Sequence, residues 1–162
     1  MGDELRGHIR HRQLQDLYDH WRGLWRGSLL PLRAALDPLA MPRGLLGNLG
    51  ILDVEREPKL RFRYRLYGTN LIDISGQDRT GRYADEPGMS NMPELVLPAL
   101  ARVASTGEPE LLSGDYSREQ FRYVAFEVLL LPLADDGRAV SHILCGLLRD
   151  RRPGTAGGFG IF

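Results

Sequence analysis

The alternation Arg61-Phe62-Arg63-Tyr64-Arg65-Leu66-Tyr67 limits the fold more than any other stretch of this chain. Successive side chains of a strand point to opposite faces, so Phe62, Tyr64 and Leu66 share one face and Arg61, Arg63 and Arg65 the other. Such a strand is half buried, apolar toward a core and charged toward water. Residues 49–55 read as the strand before it, with Glu57-Pro58-Lys59 as the tight turn between the two. In the register that sets Val54 against Phe62, Leu52 faces Tyr64, and on the other side Glu55 faces Arg61 and Asp53 faces Arg63. A one-residue slip would put arginines against the apolar set; a slip by two keeps the alternation and stays open. Each exposed acid–base pair contributes only about 0 to 1 kcal/mol, so the ladder reads as a solvated sheet face.

The following residues alternate between helix and turn signals. Thr69 caps a short helix carrying Leu71, Ile72 and Ile74, Gly76 stops it, and Asp78-Arg79-Thr80-Gly81 is a turn. The spacing of Gly68, Gly76 and Gly81 fits neither a dinucleotide fingerprint nor a P-loop, so these glycines read as punctuation. Asn91, with Glu94 three residues later, opens a longer helix whose apolar positions Leu95, Leu100, Val103 and Ala104 recur until Gly107; Pro98 is expected to kink or split it. Three strands follow, over 110–116, 123–132 and 139–148, with Asp136-Gly137 predicting a tight hairpin between the last two. Val124, Phe126, Val128 and Leu130 share one face opposite Glu127, and Ile143, Cys145 and Leu147 lie opposite His142. The sheet is therefore expected to have one apolar side.

Upstream, residues 1–13 are polar. His8 and His11 are spaced for one helix face, but Arg6, Arg10 and Arg12 around them oppose a cation and no third ligand follows nearby, so the segment reads as a solvated arm. From Leu14, the residues Leu17, Tyr18, Trp21, Leu24 and Trp25 recur at helical spacing and predict an amphipathic helix ending near Gly27. Two readings compete for Leu14, Leu17, Tyr18, Trp21 and Trp25: packing on their own domain, or an aromatic-rich interface with a second copy. Pro31, Pro38 and Pro42 punctuate a connection that wraps the domain, and the glycine-rich residues 151–162 read as a flexible tail.

Composition removes several function classes. A single cysteine, Cys145, excludes an internal disulfide and any multi-cysteine metal or cluster site and points to a reducing compartment. Twenty-one basic residues against 21 acidic leave no net field to gather nucleic acid or an anionic membrane. The charged start and the lack of a long apolar run predict a cytoplasmic protein with no membrane partner.

The order of two strands, short helices, a long helix and three strands resembles a PAS domain. The wording resembles a single-domain PAS-like family of alphaproteobacteria, carried by Tyr18-Asp19-His20-Trp21-Arg22, Asp37-Pro38 with Pro42-Arg43, residues 62–69 and 76–83, and Leu129-Leu130-Leu131-Pro132-Leu133-Ala134-Asp135-Asp136-Gly137. The resemblance implies an α+β fold: a five-stranded antiparallel sheet in the order 2-1-5-4-3, helices on one face around a small-molecule cavity, and an N-terminal amphipathic helix. The chain divides into an arm (1–13), a helix and Pro-rich connection (14–48), a PAS core (49–150) and a tail (151–162).

The same resemblance implies a non-catalytic sensory or scaffold module in bacterial signalling, working through a homodimer and a signalling partner and gated by a small ligand. The flavin-photosensor signature, an Asn-Cys-Arg motif on a helix, is absent; so is an axial histidine on the long helix, and the cofactor is left unknown. A ligand would be lined by Tyr64, Leu66, Leu71, Ile74, Leu100 and Val103 over a floor of Val124, Phe126, Ile143 and Cys145. A filled core is favoured over a cavity, because Tyr64 alone is polar among them. The alternative, a small acid–base enzyme, would need Asp53, Glu55, Glu127 or His142 to face inward, whereas alternation puts all four on polar faces and makes His142 a surface or cross-strand residue.

Overall fold

Strands β1 (Leu49–Glu55) and β2 (Arg61–Tyr67) pair antiparallel in the register expected from their alternation, with Val54 opposite Phe62, Leu52 opposite Tyr64 and Glu55 opposite Arg61. The computed structural model describes residues 2–90, 92–118 and 122–149, leaving aside the side chains of residues 2, 3, 115–118 and 122–124. The register then shifts between Ile51 and Leu52, so that Ile51 pairs with Leu66 and Gly50 with Tyr67. One extra residue on β2 turns every later side chain to the other face. Leu66, expected in the core, is 45% exposed, and Tyr67 points inward in its place.

Strands β3 (Glu110–Arg118), β4 (Arg122–Leu133) and β5 (His142–Arg149) complete an antiparallel sheet in the order β2-β1-β5-β4-β3. The β4–β5 connection is longer than the tight hairpin expected at Asp136-Gly137. Ala134 forms a parallel bridge with Leu32, and Leu30 N–H donates to the Gly137 carbonyl at 2.9 Å, so the Pro-rich connection occupies the place a two-residue turn would need.

On the inner face lie α3 (Thr69–Ser75) and α4 (Pro93–Thr106). Gly68 precedes α3 because a Cβ there would meet the Gly47 carbonyl oxygen at 2.3 Å. Of the expected kink or split at Pro98 there is no split, α4 running on through it; Asn91, its expected capping residue, lies outside the described residues. Leu100, Val103 and Ala104 of α4 pack with Leu52, Phe62, Phe126, Val128, Leu130 and Ile143.

The outer face is also covered, which corrects the expectation of one apolar side. Helices α1 (Gly2–His8) and α2 (Arg12–Arg22) and the connection up to residue 48 pack there. Leu14, Leu17, Tyr18 and Trp21 join Leu36, Met41 and Leu45 against Leu129, Leu131, Leu133, Leu144 and Leu148. Gly146 on β5 admits α2, since a Cβ would sit 2.7 Å from Leu17 and 2.9 Å from Leu14. Trp21, 1% exposed, donates its indole N–H to the Pro132 carbonyl at 2.9 Å. Four of the five residues offered as a dimer interface, Leu14, Leu17, Tyr18 and Trp21, are thus buried against the chain's own sheet. Trp25, beyond the end of α2, is half-buried and stacks edge-on to Trp21 at 4.6 Å. Residues 2–13 are not a solvated arm, for Ile9 is buried and the Arg10 and His11 backbone N–H groups donate to Glu127. The tail expected over 151–162 lies outside the described residues.

Candidate ligand cavity

Between the inner face of the sheet and helices α3 and α4 the packing leaves a cavity of about 120 Å³. Tyr64, Leu71, Ile74, Leu100, Phe126 and Cys145 line it. Val103 and Ile143 are fully buried in the surrounding core and do not line it. Leu66 is lost to the outer face by the β2 register shift, and the Val124 side chain lies outside the described residues. The expectation of a filled core with Tyr64 as its one polar group is corrected, because Tyr67, Ser75, Arg79, Ser90 and Arg149 also line the cavity.

Each polar group has a local cause. Tyr67 enters through the register shift and stacks edge-on to Tyr64, ring centroids 5.2 Å apart. Ser75 closes α3 just before Gly76, whose φ of +82° stops the helix. Arg79 sits in the turn between Gly76 and Gly81, which is held along the β2 edge: Gly81 N–H donates to the Tyr64 carbonyl at 2.7 Å, and Tyr64 N–H to the Arg82 carbonyl at 2.9 Å. These bonds satisfy an edge strand that would otherwise be open. They also carry Arg79 inside, where it is 8% exposed and its Nε has no hydrogen-bond partner.

Burial pushes the Tyr64 phenol up to about 12 against the opposing pull of the Arg79 charge, and burial likewise raises Tyr67. The Cys145 thiol is pushed up to about 12 by burial. All three are neutral at physiological pH, so the cavity offers phenol and thiol hydrogens, a guanidinium and apolar walls.

The four acid–base candidates lie elsewhere. Asp53 and His142 are cross-strand partners, His142 Nε2 standing 3.1 Å from Asp53 Oδ1. Ser141 Oγ is 2.9 Å from His142 Nδ1 and accepts the Asp135 N–H at 2.8 Å. This Ser-His-Asp line, like Glu55 and Glu127, contributes nothing to the cavity lining. The ladder on β2 pairs diagonally, with Arg65 on Asp53 at 2.7 Å, Arg63 on Glu55 at 3.6 Å and Arg61 on Asp85 at 2.7 Å. Sequence reading missed Arg79, which it placed in a turn without a role, because the turn's attachment to the β2 edge is a tertiary arrangement.

Among solved structures, the PAS domain of Bordetella pertussis BvgS is similar with a TM-score of 0.52 at 20% identity, covering 67% of this chain and 80% of that one. A Rhodobacter sphaeroides LOV protein is similar with a TM-score of 0.48 at 12% identity, over 65% of this chain and 60% of that one. At such identity the likeness to BvgS speaks for the fold alone. No curated protein matches the chain in sequence. The family model described as PAS domain matches residues 9–148, and with that match and the strand order above the chain belongs to the PAS domain family.

Proposed function

We propose that this PAS domain is a non-catalytic sensory module of bacterial signalling whose core cavity takes a small ligand and whose state passes to a signalling partner through protein contacts. PAS domains are in general sensory signalling modules and commonly mediate protein–protein interaction and dimerisation. The observation that carries the ligand part is the cavity itself, apolar walls with a few converging polar groups. Its volume is close to the roughly 150 Å³ of a cavity that accepts benzene, and below the roughly 300 Å³ at which drug-sized sites begin. A single ring or a short chain fits that space.

One further observation supports the reading. Asp53, Glu55, Glu127 and His142 are outside the cavity lining, so an entering molecule would meet no carboxylate or imidazole there among the described residues. A homodimer, in this reading, uses a surface other than the buried stripe of α2. Leu29 and Leu39, 76% and 93% exposed, and the charged outer side of β2 are surfaces open to it among the described residues.

Native mass spectrometry of freshly purified protein tests both parts. The expected spectrum is a dimer carrying a small-molecule mass that disappears on denaturation. A bare monomer whose unfolding temperature no small molecule raises would overturn the proposal.

A further inference from the structure

We infer that the cavity is built for an organic anion, a carboxylate on a ring-sized or short-chain apolar body, with Arg79 as the group that recognises the carboxylate. The inference rests on the ligand-binding reading above and gives that ligand its chemical class. Three observations lead to it.

Arg79 is buried, lines the cavity and has a guanidinium Nε without a partner. A buried arginine is ordinarily matched by a carboxylate, because an unpaired charge out of water carries a large desolvation penalty. Here its neighbours are the Tyr67 ring, 5.6 Å from the guanidinium carbon, and the Tyr64 phenol. The acid next to it in the chain, Asp78, is exposed, its Oδ1 accepting the Thr80 N–H at 2.9 Å and hydroxyl at 2.7 Å.

The described lining contains no Asp or Glu, while a second arginine, Arg149 of β5, also belongs to it. A neutral ligand would leave the buried Arg79 guanidinium uncompensated; an anion completes it. Arginine presents a planar fork of donors suited to two carboxylate oxygens, and Tyr64 and Tyr67, kept protonated, add hydroxyl donors. The rest of the wall, with Leu52, Leu71, Ile74, Leu100 and Phe126, is apolar. The site therefore asks for one charged end and one greasy end.

The test uses the full chain with benzoate and hexanoate as probes, and benzyl alcohol and 1-hexanol as neutral partners of the same bodies. Binding is read by calorimetry and by the shift in unfolding temperature. The carboxylates are expected to bind about ten- to a hundredfold more tightly than the alcohols, the worth of hydrogen bonds to a charged group. In Arg79→Gln that preference should vanish, while the ligand-free variant unfolds at or above the wild-type temperature, since an unpaired buried charge has been removed. A merely structural arginine would give the opposite, a variant that unfolds earlier and binds benzoate as before. Should Arg79→Gln fail to fold, the acid–alcohol comparison on the wild-type chain decides by itself, and Arg79→Lys should keep a weakened preference. Alcohols binding as tightly as acids would overturn the anion inference and leave a small-ligand cavity standing. No binding by any of the four probes would overturn both.

Discussion

His11 and Glu127 lie 116 positions apart in the chain and meet where the N-terminal segment crosses β4: the His11 backbone N–H donates to Glu127 Oε1 at 2.9 Å, and its ring Nδ1 stands 2.5 Å from the same oxygen. Arg10 N–H donates to the other oxygen at 2.8 Å. Glu127 is 1% exposed. A carboxylate reaches that depth only because two backbone donors and a ring nitrogen satisfy it, so this one side chain fixes the turn between α1 and α2 to the sheet.

Replacement of Glu127 should therefore loosen the N-terminal cover. Burial raises its carboxyl, but the hydrogen bonds from Arg10 and His11 outweigh burial and hold it below the usual glutamate range. A depressed folded-state value stabilises the protein above the unfolded value of about 4.3, and that contribution is lost as pH falls through the folded value. Glu127→Gln is expected to cost about 1 to 3 kcal/mol at pH 7. The difference from wild type should shrink as pH drops below about 4. Urea denaturation of both proteins at pH 7 and pH 3.5 measures it; a difference that stays constant with pH would contradict the assignment.

Trp21 gives a prediction about assembly. Its ring is buried against β4 and its N–H is bound to Pro132 within the same chain, so Trp21→Ala should cost about 3 to 5 kcal/mol of folding stability. Size-exclusion of the variant should show an unchanged oligomer until the chain unfolds. Dissociation of an oligomer at undiminished stability would place Trp21 between copies instead.

The register shift in β2 separates two leucines that alternation places on the same apolar face, Leu52 and Leu66. Leu66→Ser, at an outward position, is expected to change stability by no more than about 0.5 kcal/mol. Leu52→Ala, on the buried side of β1, should cost about 2 to 5 kcal/mol. Equal losses in thermal or urea unfolding would mean that β2 keeps one register throughout.

Period-two alternation carried the sheet. It specified the Leu52–Tyr64 and Val54–Phe62 pairs, because a one-residue slip would bury arginine. It could not carry the shift at Ile51, since a single extra residue leaves the composition of the strand unchanged, and so Leu66 and Tyr67 were exchanged. The second covered face was legible in part: Val128 to Leu131 is apolar at every position, the mark of a strand buried on both sides, and reading only its alternate residues hid the role of Leu129 and Leu131 against α2. Arg79 was the hardest to see. Its burial depends on the Gly81 N–H donating to the Tyr64 carbonyl and the Tyr64 N–H to the Arg82 carbonyl, a tertiary arrangement to which the turn residues alone do not point.

Cys145 supplies the last prediction, because it lies on the cavity floor and its chemistry reports on access. Burial raises its thiol from 9.0 to about 12, three units, which lowers the thiolate fraction at pH 8 about a thousandfold. Only the thiolate attacks a disulfide reagent, and its greater intrinsic nucleophilicity at higher pKa offsets only part of that loss, so labelling by an aromatic disulfide at pH 8 should be slower than for an exposed cysteine before any steric hindrance is counted. A ligand in the cavity would cover the same thiol and slow labelling further, whereas unfolding in urea should restore the ordinary rate. Measuring the rate in buffer, in buffer with benzoate and in urea separates these contributions. Fast labelling in buffer would mean that the Cys145 thiol is reached through the cavity and is not held protonated by burial.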